Sequence, residues 1–355
     1  MKKHNFGAGP GILKKEVLEG AADAVLNWDG IGLSLLEMSH RSKEFGEVME
    51  KATSLVREIY KVSDEYAVLF LQGGASLQFA TVPYNLLDPE DTGAYVETGS
   101  WAKKAVKEAK GLAKVHIAGS SADKNFNYIP KKLDVPSNAK YLHITTNNTI
   151  FGTQFHHTPE TNVPLIADMS SDIFCRPFDA GRFDMIYAGA QKNLGPAGTT
   201  LVIIKKSLLG KIKRYIPTML NYQTHIDNDS LFNTPPVFAI YVSYLSLKWI
   251  KENGLEKIGK QNEKKASLLY GEIDRNSLFE GTAAKEDRSL MNVTFVLKNN
   301  ALDADFLKFA TDKGIVGLKG HRSVGGFRAS IYNALDLSSV EYLVSLMQEF
   351  EKLNS

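Results

Sequence analysis

One cysteine, Cys175, stands among 355 residues. It allows no disulfide within the chain and no cysteine-rich zinc site, and no metal is expected. So few cysteines suit a reducing compartment, so a cytoplasmic protein is expected. No stretch approaches the roughly 20 apolar residues of a membrane helix. Behind Lys2 and Lys3 there is no apolar run of the kind a secretory signal carries. Excess charge is missing too: 42 basic against 40 acidic residues leave +2. That balance argues against a surface built for nucleic acid or for a membrane. Any anionic ligand must therefore be caught by a local cluster of cations. The patterns G-x-G-x-x-G and G-x-x-x-x-G-K-[ST] are absent, which removes the simplest dinucleotide and P-loop readings. There is no internal repeat, no low-complexity tract and no Pro-rich linker.

What is present is ordinary globular material, 43% hydrophobic and 23% charged. The length suits a large domain plus a smaller one. Short apolar strands are expected at 66–71, 93–97, 114–118, 141–145, 165–168, 185–188 and 200–204, most of them separated by helices. Such strands imply a mostly parallel sheet covered on both faces, hence an α/β fold. Beyond Pro235 the pattern changes. Helices with polar faces are expected over 237–253 and 255–276, then a strand at 291–297, a helix at 301–313, a strand at 327–332 and an amphipathic helix over 337–353. The expected division is an irregular N-terminal arm (1–14) packing with the small domain, a large domain (15–254) and a small α+β domain (255–355).

Open α/β sheets bind ligands beyond the carboxyl ends of their strands, and the informative residues fall there. Lys192 follows a strand inside the Gly/Ala/Pro-rich turn AQKNLGPAG. A crowded, dry turn lowers a lysine's pKa, as an amine that captures an aldehyde requires. Asp168 ends the apolar run VPLIAD, and a carboxylate there is costly unless paired. The protonated pyridine nitrogen of pyridoxal phosphate is a fitting partner. Gly73 to Ser76 follow a strand and open a helix, where free N–H groups suit a phosphate. Trp101 heads another helix and can stack on a flat ring. Taken singly, each has a structural reading beside it: a surface lysine, a capping aspartate, a plain Gly-Gly turn, a core tryptophan.

Together, GAQKNLGPAG, the upstream DMSSD, TGSW, SHRS at 39–42 and GHRSVGGFRASIYNA at 320–334 resemble the phosphoserine aminotransferases, class-V enzymes of pyridoxal-phosphate fold type I. The similarity runs from FGAGP near the start to the last helix. It implies that Lys192 carries the cofactor and moves a proton between substrate Cα and cofactor C4′. Asp168 is implied to hold the ring nitrogen, Trp101 to stack on the ring, and Thr149 to contact the phenolic oxygen. Ala75, Ser76 and Gln191 are implied to hold the cofactor phosphate. Asn233 and Thr234 are implied to reach it from a second subunit, making the protein a homodimer. Arg328 is implied to take the substrate α-carboxylate, with His40, Arg41, His321 and Arg322 around the distal anion. The implied reaction moves an amino group reversibly, by a ping-pong route, from L-glutamate to 3-phosphohydroxypyruvate. It serves serine biosynthesis, and in many bacterial relatives a vitamin B6 precursor, 3-hydroxy-2-oxo-4-phosphooxybutanoate, reacts as well. One departure stands out: some members carry arginine where this chain has Ser76, so a cation near the substrate phosphate is missing there. A glyoxylate aminotransferase on the same scaffold would leave the two His-Arg pairs surplus. A cysteine desulfurase would need Cys175 as a mobile nucleophile, and a non-catalytic cofactor-binding protein would not need Lys192 and Asp168 together.

Overall fold

The computed structural model describes residues 2–354. Its centre is a seven-stranded sheet built from β1 (Tyr66–Leu71), β2 (Thr92–Glu97), β3 (Lys114–Ser120), β4 (Leu142–Thr145), β5 (Leu165–Asp168), β6 (Met185–Gly189) and β7 (Thr200–Lys205). Their order across the sheet is β1-β7-β6-β5-β4-β2-β3. Only β7 runs against its neighbours, pairing antiparallel with both β1 and β6. A reversed β7 can follow β6 directly, so the Lys192 segment is a connection, 190–199, rather than the start of a crossover helix. The other pairings are parallel, and β1, β4, β5 and β6 are buried throughout.

Helices cover both faces. Helix α1 (Lys15–Asn27) and α2 (Lys43–Tyr60) lie on one side. In α2 the apolar residues Phe45, Val48, Met49, Ala52, Val56 and Tyr60 recur at helical spacing and are all buried. The Ser42 side chain accepts the Phe45 N–H at 3.2 Å and caps its start. On the opposite side are α3 (Gly74–Leu86) and α4 (Ser100–Lys110), packed on the core that holds Tyr95, Tyr141 and Tyr187.

Helix α5 (Val237–Asn253) departs from the expectation of a polar face. Only Lys248, Lys251 and Glu252 are exposed along it. It is wedged against α1, α2 and the sheet's core, so its serines turn inward; Ser243 Oγ donates to the Ala239 carbonyl at 2.8 Å.

A second apolar core forms between α6 (Leu255–Arg275), α7 (Asp303–Asp312), α8 (Leu337–Asn354) and a three-stranded antiparallel sheet. The strands are β8 (Phe279–Gly281), β9 (Asn292–Leu297) and β10 (Phe327–Ser330), in that spatial order. The rings of Phe279, Phe295, Phe306, Phe327 and Phe350 interlock there, mostly edge to face. The three-residue β8 lies outside the sequence expectation.

The N-terminal arm is more regular than expected. His4–Asn5 form a short parallel strand against Ile315–Val316, and Phe6 enters the second core. The arm then crosses to the Lys192 loop, where the Gly11 N–H donates to the Gln191 carbonyl at 2.6 Å. A side chain on Gly11 would put its Cβ 2.6 Å from the Lys192 carbonyl oxygen, so glycine is required at this contact.

A buried amine fixes the chain just beyond β10. Lys265 of α6 is 2% exposed and donates to the carbonyls of Ile331, Tyr332 and Leu335 at 2.9, 2.7 and 3.1 Å. Among these neighbours, the Tyr332 hydroxyl donates to the Ala8 carbonyl and the Asn333 N–H donates to Asn193 Oδ1. The second core is thereby tied to both the arm and the residue after Lys192.

Candidate active site

The carboxyl ends of β1, β2, β4, β5 and β6 open on one side of the sheet, and the residues singled out in the sequence gather there. Asp168 is the last residue of β5, and Lys192 lies in the loop after β6, the next strand. Thr149 follows β4 on the other side of β5. The Lys192 amine donates to Thr149 Oγ1 at 2.7 Å, and an Arg328 Nη donates to the Thr149 carbonyl at 3.3 Å. Thr149 thus joins the large sheet, the lysine loop and β10 at one point.

The electrostatics are those of a dry site. Burial draws the Lys192 pKa down to about 8; Asp168 opposes the shift and Arg328 adds to it. Asp168 is 4% exposed, and burial raises its pKa against the bonds from Ser170 and the charge of Lys192. The Ser170 N–H donates to Asp168 Oδ1 at 2.9 Å. Ser170 was not singled out in the sequence; its signal is the Asp-x-Ser spacing, in which a carboxylate accepts from the N–H two residues on. Thr145 stands beside Asp168 in the sheet register, and its hydroxyl is buried with no partner among the described residues.

A lysine at about pKa 8 has a visible consequence. Only the neutral amine attacks an aldehyde, so capture of added cofactor aldehyde by the apoprotein should quicken with pH and level off above about pH 8. An ordinary lysine at 10.5 would still be climbing tenfold per unit at pH 9. Stopped-flow absorbance over pH 6.5–9.5 reads the midpoint directly, and a rate still rising steeply at the upper end would contradict a buried amine.

Helix α3 opens the far side of the cleft. Gly73 and Gly74 take left-handed backbone angles, φ +87° and +65°, which other residues adopt only with strain. The first-turn N–H groups at Gly74, Ala75 and Ser76 have no carbonyl one turn back to bond, so they are free for an anion. Ser76 itself is exposed. Trp101, in the first turn of α4, is half-buried between two apolar clusters, and its indole N–H is buried with no partner among the described residues. Arg328 Nε is likewise buried and without a partner among them.

These features fit pyridoxal phosphate. There is a desolvated amine for its aldehyde, a buried carboxylate for its ring nitrogen and an open helix end for its phosphate. The indole beside them gives a flat surface for the ring.

Other expected residues stand elsewhere. His321 and Arg322 lie in the 320–326 turn just before β10; His321 Nδ1 accepts the Ser323 N–H at 3.2 Å and lies 2.7 Å from the Ser323 hydroxyl, and Nε2 has no bond among the described residues. His40 and Arg41 touch each other at 3.3 Å, but among the described residues no bond or ion pair joins them to Lys192 or His321. The Thr234 carbonyl accepts from Gln72 of the same chain at 2.9 Å, and Asn233 lines a cavity of about 310 Å³ beside Gln72 and Gly73. Cys175 is 1% exposed and burial pushes its thiol pKa up, which disqualifies it as a mobile nucleophile. Among the described residues no cluster of metal ligands occurs, and no helix is long and apolar enough to cross a membrane.

The sequence matches the family model "Aminotransferase class-V" over residues 4–343. The phosphoserine aminotransferase of Bacteroides thetaiotaomicron is 57% identical over 357 residues, covering 100% of both chains. That of Flavobacterium psychrophilum is 56% identical over 353 residues, 99% of each. Among solved structures, the phosphoserine aminotransferase of Bacillus circulans subsp. alkalophilus superposes with a TM-score of 0.97 at 47% identity, covering 100% of this chain and 99% of that one. An alanine–glyoxylate aminotransferase from Nostoc sp. at 16% identity and a TM-score of 0.79 shares the fold alone. The chain belongs to the class-V aminotransferases, which use pyridoxal phosphate, and within them to the phosphoserine aminotransferase family.

Proposed function

We propose that the protein transfers the amino group of L-glutamate to 3-phosphohydroxypyruvate, giving O-phospho-L-serine and 2-oxoglutarate, reversibly and in two half-reactions. The observation that carries this reading is a cation without an acidic partner beside the Lys192–Asp168 pair. Arg328 is half-buried there and makes no ion pair among the described residues. An unneutralised arginine in such a place is unfavourable until an anion arrives, and phosphoserine brings a carboxylate for it and a phosphate besides.

Bound in the cleft, pyridoxal phosphate supplies an aldehyde for the amino group and a cationic ring that takes up electron density from the substrate Cα. This chain's residues do the rest. Lys192 removes the Cα proton and returns it at C4′, and its lowered pKa lets it act as a base near neutral pH. Asp168 holds the proton on the ring nitrogen, with Ser170 fixing the carboxylate. Thr149 orients the lysine amine and contacts the phenolic oxygen, and the α3 N-terminus with Ala75, Ser76 and Gln191 holds the cofactor phosphate. Trp101 covers the ring and keeps water off it. Arg328 clamps the α-carboxylate, and its Nε donor, unpartnered among the described residues, gains an acceptor. His321 and Arg322 take the distal anion.

His40, Arg41, Asn233 and Thr234 complete the site from a second copy of the chain. Two observations favour this homodimer. Among the described residues none of His40, Arg41, Asn233 and Thr234 is bonded or paired to Lys192, and the apolar Leu77, Met219 and Phe232 stand exposed around Asn233. A fully active monomer in analytical ultracentrifugation would rule the shared site out.

The reading is tested by single-turnover half-reactions of the holoenzyme with O-phospho-L-serine, L-serine and L-alanine. Phosphoserine should exceed the other two by a hundredfold or more in kcat/KM, since two charge-assisted bonds are worth about 3 kcal/mol. Equal values would sink the phosphate-specific reading and leave the aminotransferase assignment intact.

A further inference from the structure

We propose that Lys104 is a specificity residue for the distal phosphate of the substrate, an inference that rests on the reading of the site just given. Lys104 follows Trp101 by three residues on α4, so the two side chains share a helix face. Its Nζ stands 4.2 Å from the centroid of the Trp101 ring. The indole thereby holds the ammonium at the mouth of the cleft at little cost in mobility.

Three observations point the amine at an anion. The 320–326 turn reaches the apolar cluster on which Trp101 sits: Val324 and Trp101 both pack against Phe126, Ile150 and Phe151. The turn is closed by bonds from the Gly320 N–H to the Gly326 carbonyl and from the Val324 and Gly325 N–H groups to the His321 carbonyl, at 2.8 to 2.9 Å. His321 is thus set near α4, and its imidazole feels the place: burial first, then Arg328, Arg322 and Lys104, hold its pKa down.

The adjacent lysine supplies the contrast. Lys103 lies 4.8 Å from the Phe126 centroid and is paired with Glu97 at 3.7 Å. Lys104 has neither a carboxylate nor any hydrogen-bond partner among the described residues. Neighbouring lysines on one helix are therefore used differently: one is paired with a carboxylate, the other is an exposed charge within electrostatic reach of His321.

The chemistry selects the distal phosphate over the α-carboxylate. Arg328, beside Thr149 and Lys192, has the planar fork that suits a carboxylate, whereas a lysine ammonium is a compact point charge suited to a phosphate carrying close to two negative charges. His321 Nε2, Arg322 and Lys104 then approach the phosphate from two elements, the 320–326 turn and α4. A structural alternative is that the Lys104 stem only shields the outer face of Trp101, in which case every substrate would suffer alike from its loss.

The experiment compares the half-reactions of holoenzyme carrying Lys104→Met and Lys104→Arg with O-phospho-L-serine and with L-alanine, which has no distal anion. In the methionine variant, KM for phosphoserine should rise about tenfold with kcat within about twofold. The phosphoserine-to-alanine ratio of kcat/KM should fall about tenfold as well, and the arginine variant should recover it to within about threefold. An unmoved ratio, or an equal fall for both substrates, overturns the inference. Wild-type enzyme that fails to prefer phosphoserine over alanine overturns the underlying reading as well, so the two failures are told apart before any variant is made.

Discussion

Replacement of Lys192 by alanine should lower the rate of each half-reaction about ten-thousandfold, the upper range for loss of a positioned proton carrier. The reason is that no second group can do the work. Among the described residues, the amine's hydrogen-bond partner is Thr149, an alcohol, and Arg328, which donates to the Thr149 carbonyl, is a cation that does not give up its proton near neutral pH. The variant should still fold, because the amine's one hydrogen bond is to a side chain and the loop is held by backbone. The Leu194 and Gly195 N–H groups donate to the Ala190 carbonyl, and the Gly11 N–H holds Gln191. Small amines added to the solution should restore part of the rate, since the cavity left by the side chain opens on the cleft. A Lys192→Ala variant that transaminates at more than about a hundredth of the wild-type rate would refute the assignment.

Substitution of Asp168 by asparagine should cost about a thousandfold in the same assay. Removing one partner of a buried charge pair is worth about 3–5 kcal/mol, and each 1.36 kcal/mol is a factor of ten in rate. Asparagine keeps the shape and can still accept the Ser170 N–H, so the fold should survive. What it cannot do is hold a proton on the ring nitrogen as a carboxylate does. The expected signature is a low kcat with cofactor still attached at Lys192. A near-normal kcat would show that the ring does not need its nitrogen protonated, and the electronic part of the account would fail.

Much of this was legible in the chain because local chemistry decided it. The run VPLIAD can only be a buried strand that ends on a charge, and β5 ends on Asp168. The turn around Lys192 was readable from its glycines and proline, although its place between antiparallel strands was not. The reversed direction of β7 depends on pairing with β1, more than a hundred residues earlier, and no period within 200–205 encodes it. The same holds for His4–Asn5, whose partner is Ile315–Val316. Helix α5 misled in another way. Its serines and tyrosines read as a polar face, but helical serines can bond back to their own backbone and be buried, as Ser243 does.

In the site, residues were recognised where a costly group stood alone, as with Asp168, and missed where the group looked ordinary. Lys104 sits in a Lys-Lys pair on an amphipathic helix, the normal pattern of a solvated face. Its signal was the three-residue spacing from Trp101, meaningful only once Trp101 and Val324 of the 320–326 turn are seen to pack on the same apolar cluster. His40, Arg41, Asn233 and Thr234 mark the other limit: among the described residues no bond or ion pair joins them to Lys192, and their proposed place in the site rests on a second copy of the chain.

The most direct test of the central claim is reduction of the holoenzyme with borohydride, followed by peptide mapping. The account predicts loss of the yellow colour and one stable pyridoxyl label, on Lys192, formed in proportion to bound cofactor. A label on any other lysine, or bleaching with no protein-bound label, would contradict it.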